Sequence, residues 1–323
     1  MFFRTRTLLD LVSDQDMVSR ALVTYPGASD ATPALRFDAV TSRHPLALAF
    51  QELQDQLCGT EMGNALVLQA KEFGYEIEFD THRDDGLVQI DTVARRLLLP
   101  GYDLSEAAQA RSVYFLHEFQ WNILRGLRLI DLAENMRLPR LLRPDHMIRA
   151  VRLVAADQTA VAITLLWAIH RDMPGLWRHV LGGACGDMAR YLTGTTQKMS
   201  HGLTAHDIKE ILFAWYADQN RVSAVDQTTL ALLDETLGCA KAPRLYQAQL
   251  TKQSIAHLCT LIGQTPYIQS KDHPVLEMIQ QGPELDLIGQ RHLHQIMNEQ
   301  DVVMVHNVGF RDAHLARRIF PEA

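Results

Sequence analysis

The hexapeptide Tyr75-Glu76-Ile77-Glu78-Phe79-Asp80 alternates strictly between a large apolar residue and a carboxylate. A period of two is the spacing of a half-buried strand, because successive side chains leave opposite faces of the pleat. Almost everything after residue 103 repeats its apolar residues at three and four instead, the spacing of helices. A chain that leaves the helical period once, early and briefly, has few architectures open to it. It predicts an α+β fold: a small antiparallel or mixed sheet packed on a long central helix, followed by a mainly helical C-terminal half.

The strand at 75–80 has two neighbours in sequence, Leu87 to Asp91 and Arg95 to Leu99, which read as a meander of about three strands closed by Pro100-Gly101. His82 to Gly86 is turn-like. Upstream, the apolar spacing from Pro45 to Phe73 predicts two helices broken near Gly59. Downstream, Asp103 with Glu106 resembles a capping box and opens a helix that runs to about Ile130. A second long helix spans Pro144 to Arg171 and stops at Pro174-Gly175. Further helices are predicted near 176–192, 205–220, 226–236, 247–262 and 284–299, with interruptions at Gly182-Gly183, Gly186, Gly238 and Gly263.

This divides the chain into a weakly packed leader (1–43, with a turn cluster at Tyr25 to Asp30) and a sheet with its helix (44–150). A helical half that completes a groove (151–240) and a helical extension (241–323) follow. The formal charge of −7 and the absence of any basic run argue against nucleic acid or an anionic membrane as partner. The four cysteines, Cys58, Cys185, Cys239 and Cys259, show no C-x-x-C spacing and read as buried free thiols. The start lacks the long apolar core of a signal peptide, and the densest apolar stretch, Ala160 to Ile169, is ten residues, too short to cross a bilayer. A cytoplasmic protein is the expectation.

The chemistry is concentrated in Ser112 to Asn122, where an apolar helix carries His117 and Glu118 side by side. In H-E-x-x-H two imidazoles one turn apart hold zinc, and the glutamate activates the metal-bound water. Here the second imidazole position is Trp121. Gln120 could approach the same space, but a neutral amide is a poor zinc ligand. With fourteen His and fourteen Glu in 323 residues, roughly 0.6 His-Glu pairs arise by chance, so the dipeptide alone carries little. The same residues also fit a core helix with one hydrogen-bonded histidine.

Residues 45 to 270 resemble an uncharacterised bacterial family of zincin-like (HExxH) metallopeptidases. The resemblance runs through Gly63 to Ala70, Gly74 to Asp80, Leu98-Leu99-Pro100 and Leu116-His117-Glu118. It continues through Arg152 to Gln158, Phe213 to Tyr216 and Val225 to Leu230, in the family's order and spacing. It implies a zincin-like fold with His117 as a metal ligand and Glu118 as the general base. The second ligand position is Trp121. The third falls on Ala155, where the family's Glu-Ala-Asp-Ala has its glutamate, and Asp157 matches the retained aspartate, implying a carboxylate that braces His117. Two of three ligands are thus replaced. Asp157, His146 and His170 are each poorly placed along the second helix to restore them.

Other features read as ordinary structure. Gly182-Gly183-Ala184-Cys185-Gly186 is a helix break rather than a phosphate loop. His292 and His294, like His201 and His206, read as solvated, and Trp167, Trp177 and Trp215 as core or groove-lining aromatics. The reading that follows is a catalytically degenerate relative of metallopeptidases, a pseudoenzyme that binds or scaffolds a protein or peptide and holds no stoichiometric zinc. Two alternatives stay open: an active metal-dependent peptidase with an altered ligand set and zinc bound, and a helical interaction protein unrelated to peptidases.

Overall fold

In the computed structural model, the residues described are 35–37, 44–80, 88–100, 112–135, 142–195, 205–239, 247–261, 265–269, 272–300, 303–305, 308–310 and 318. The alternating hexapeptide forms strand β2 (Glu76–Asp80), after β1 (Leu35–Arg36), α1 (Pro45–Cys58) and α2 (Glu61–Glu72). Strands β3 (Gln89–Asp91) and β4 (Arg96–Pro100) complete the sheet. Thr60 caps α2 by accepting from the Gly63 amide at 3.1 Å, and the helix pair breaks at Gly59 as its sequence requires. The turn at 82–86 and the Asp103–Glu106 capping box lie outside the described residues, as does the turn at 25–30.

The sheet is mixed, in the order β1-β2-β4-β3. The meander expectation is corrected here: β2 pairs with β4 in parallel, Ile77 beside Leu97, and β3 joins β4 from the outer side, antiparallel. β1 adds to the other edge with Leu35 beside Ile77. Leu35 and Phe37 are buried, so this short piece of the leader belongs to the core rather than being weakly packed.

The predicted faces of β2 hold. Tyr75 and Ile77 are buried, and Phe79 stacks on Phe115 and Phe119 at ring separations of 6.4 and 5.7 Å. On the other face Glu78 pairs with Arg96 at 2.8 Å. Both phenylalanines belong to α3 (Val113–Glu134), the long central helix. Sheet and helix meet closely at Gly126, where a β-carbon would stand 2.4 Å from the Leu97 side chain. A larger residue there would push the sheet off the helix.

Helix α4 (Pro144–Ile169) packs against α3 and is the most buried element of the molecule. It is long and apolar enough to cross a membrane, yet 89% of its apolar window is buried inside the protein, so its composition is that of a core helix. The predicted helix at 176–192 is two, α5 (Pro174–Gly182) and α6 (Gly186–Thr195), broken at the glycines. α7 (Ala205–Ala217), α8 (Gln219–Cys239), α9 (Lys252–Leu258), α10 (His273–Gln281) and α11 (Leu287–Gln300) follow, then a hairpin of β5 (Val303–Val305) and β6 (Val308–Phe310). Helix α10 and the hairpin were not foreseen.

Two buried arginines join the C-terminal segment to this core. Arg128 of α3 uses all five of its N–H donors. It grips Asp157 of α4 through Nε at 2.6 Å and Nη2 at 3.1 Å, bonds Asp131, and reaches the Leu258 and Thr260 carbonyls at 2.8 and 3.0 Å. Arg152 of α4 binds Asp226 of α8 through two bonds, at 2.5 and 2.7 Å, and the Pro283 carbonyl at 2.7 Å. Leu258, Thr260 and Pro283 are thereby tied to the packed body.

Candidate functional site

Ser112 opens α3 by accepting from the Phe115 amide at 3.3 Å, which sets the helical phase that carries Tyr114, His117 and Glu118. Helix α5 begins with Pro174 at its first turn, where a missing N–H costs nothing. Pro174-Gly175, read from sequence as a stop, is thus also a start. A β-carbon on Gly175 would lie 2.9 Å from both Cε1 and Nε2 of His117, so the imidazole rests on bare helical backbone that only glycine leaves clear. One turn later, on the same face, stands His179.

His179 Nε2 lies 2.8 Å from Glu118 Oε2. An ionised carboxylate only accepts, so in that state the proton is on Nε2 and the imidazole is oriented by the glutamate. The edge of the Tyr114 ring packs on His179 at 4.8 Å, and the His117 and His179 rings are 5.8 Å apart and tilted by 55°. His179 and Glu118 are partly shielded, with 10% and 19% of their side chains exposed, whereas Tyr114 is 70% exposed. Burial first, then the neighbouring His179 and Arg178, hold the His117 pKa below its ordinary value.

The other residues singled out by sequence are placed elsewhere. Trp121 is buried one turn beyond His117, and the Gln120 amide is spent on the Ala49 carbonyl at 2.9 Å. Asp157 does not brace His117: its carboxylate is held by Arg128 and accepts from the Tyr267 hydroxyl. Arg128 is eleven residues beyond His117, about 16 Å along α3. Ala155 is also remote. His117 contacts Gly175, beyond the end of α4, whereas Ala155 is fourteen residues before that end, roughly 21 Å of helix. α3 and α4 run antiparallel, so a ligand at 155 would face the far end of α3.

His170 stacks on Trp167 at 4.1 Å, and His146 lies near the start of α4 beside Asp145. His292 pairs with Asp234, His206 is exposed, and His201 lies outside the described residues. Cys259 is buried and Cys185 half-buried, but Cys58 is exposed, which corrects the expectation of uniformly buried thiols. Burial raises the Cys185 thiol pKa despite Arg125 and Arg221 nearby, so it stays protonated and unreactive.

What sequence reasoning missed is His179. Nothing in its spacing ties it to residues 117 and 118, since it arrives on another helix. The one available signal was Gly175, a glycine inside a helix one turn before a histidine. The result is a carboxylate–imidazole pair with a second imidazole beside it, open to solvent past Tyr114. Such a pair can orient a hydrogen-bonding group or relay a proton. Among the described residues, no three His, Cys, Asp or Glu side chains are grouped to hold a metal ion. Compared with family models, curated proteins and solved structures, the chain matches none.

Proposed function

We propose that this chain is a binding or scaffolding module that has lost the chemistry of the metallopeptidases it resembles, with its contact surface around Tyr114, His117, Glu118 and His179. The observation that carries this reading is the engagement of Glu118 by His179. The carboxylate that would polarise a metal-bound water is turned to an imidazole, and the adjoining ligand position is a buried tryptophan. The exposed Tyr114 ring beside a polar pair suits a protein or peptide, since tyrosine combines apolar contact area with a hydrogen-bonding tip.

The test is the metal content of the purified protein. The expected result is no stoichiometric zinc. One tightly held zinc per wild-type chain overturns the proposal. A peptide ligand selected on the wild type is expected to lose binding on Tyr114→Ala or His179→Ala while the unfolding midpoint stays within a few degrees.

One observation favours a second reading, a metal-dependent enzyme with an altered ligand set. Two imidazoles sharing a tetrahedral zinc have ring centres about 5 Å apart, close to the 5.8 Å between His117 and His179. Titration with cobalt(II) separates the readings: an intense tetrahedral absorption band that His179→Ala abolishes would replace the first with the second.

A further inference from the structure

On a different part of the molecule, the end of α7 and the last turn of α10 enclose a groove of about 420 Å³, within the range of small-molecule sites, roughly 300–1,000 Å³. Phe213 and Tyr216 line it from α7, Glu277, Met278 and Gln281 from α10, and Pro283 from the turn that follows. That turn is fixed from beneath, since Arg152 donates to the Pro283 carbonyl at 2.7 Å. The groove is therefore held open by a buried clamp rather than by surface side chains.

Its electrostatic sign is negative. Among the described residues Glu277 is the one formally charged side chain of the lining, and it accepts from the Gln281 amide at 3.1 Å, which holds the carboxylate along α10. The positive charge of Arg152 beneath is met by the bidentate contact with Asp226. Neither α7 nor α10 has a basic residue in its last turn. Arg221 takes up the Ala214 and Trp215 carbonyls of α7, and Arg152 Nη1 stands at the end of α10, 2.7 Å from where a β-carbon on Gly282 would be, so the charge of the groove is that of Glu277 and not of a helix end. Phe213 and Tyr216 add aromatic surface beside this carboxylate.

We propose that this groove binds a small amphiphilic cation, an ammonium group carried on a compact apolar body. The apolar part lies against Phe213, Tyr216 and Met278, and the ammonium faces Glu277. An anion of the same shape meets a carboxylate of like sign, and a neutral analogue gains only the apolar contact.

Three probes with one apolar body test it: 4-phenylbutylamine, 4-phenylbutanol and 4-phenylbutanoate, titrated into the full chain labelled at its methionine methyls. The Met278 resonance is assigned by its loss in Met278→Leu. The expected result is a saturable shift of the Met278 methyl with the amine, and binding about fivefold or more weaker with the alcohol and the carboxylate. Glu277→Gln, a surface change, is expected to bring amine and alcohol level. An unmoved Met278 methyl, equal binding of amine and alcohol to the wild type, or an undiminished amine preference in Glu277→Gln overturns the proposal.

Discussion

On helix α3, His117 and Arg128 stand three turns apart and meet opposite surroundings. Around Arg128 every donor is matched, the side chains of Arg128 and Asp131 are fully buried, and the partners come from α3 itself, from α4 and from Leu258 and Thr260. Around His117 the groups lie nearer the surface: an imidazole on bare backbone, a partly shielded carboxylate–imidazole contact and an exposed tyrosine. The difference separates two uses of charge. Deep in the core, charged groups that are completely partnered act as clamps whose loss is costly. Near the surface, water reaches a polar cluster, which leaves it able to exchange that water for a ligand.

The contrast predicts a graded series. Arg128→Met strands Asp131 and Asp157 without a counter-charge and is expected to cost about 3–5 kcal/mol in urea unfolding; a loss below about 1 kcal/mol would break the distinction. Tyr267→Phe removes one donor from the Asp157 carboxylate and should cost about 1–2 kcal/mol by the same measurement. Glu118→Gln, in the partly exposed pair, should cost about 1 kcal/mol or less, and a larger loss would move this cluster into the class of the Arg128 clamp.

The smallest effect is a dependence on pH. Burial and positive neighbours lower the His117 pKa, so the unfolded chain takes up this proton first as pH falls through about 6.5. The folded state then loses stability until its own lower value is passed. His146 is shifted in the same direction, by burial first, so the wild-type curve alone does not isolate one residue. Subtracting the stability curve of His117→Asn does: the wild-type advantage should shrink between pH 7.5 and 5. A constant difference would mean that His117 is not held neutral by its site.

Much of the architecture could be read from the chain because its signals are local. The alternation at 75–80 fixed a strand and its buried face, and Gly59 and the glycines at 182–186 fixed breaks. The order of the strands is not local. Whether β4 lies beside β2 or beyond β3 depends on which edge the connection crosses, and hydrophobic alternation is indifferent to that choice. The site was half legible for the same reason. His117 and Glu118 announce themselves by adjacency, but His179 comes from a separate helix. Asp157 looked like a partner of His117 through resemblance, whereas the antiparallel packing of α3 on α4 brings it to Arg128.

The Arg128 clamp also has a consequence for the order of events during synthesis. Leu258 and Thr260, whose carbonyls Arg128 grips, follow it by 130 and 132 residues, and Asp226 and Pro283 follow Arg152 by 74 and 131. Chains emerge at about 5–20 residues per second. The central helix pair therefore waits on the order of ten seconds with two arginines that have not met all their partners. A ribosome-bound fragment ending near residue 240 has every strand of the four-stranded sheet and most of the core helices, but it lacks the carbonyls that complete both charges. The Leu258, Thr260 and Pro283 carbonyls act as a latch that closes on the two arginines only after they have been made.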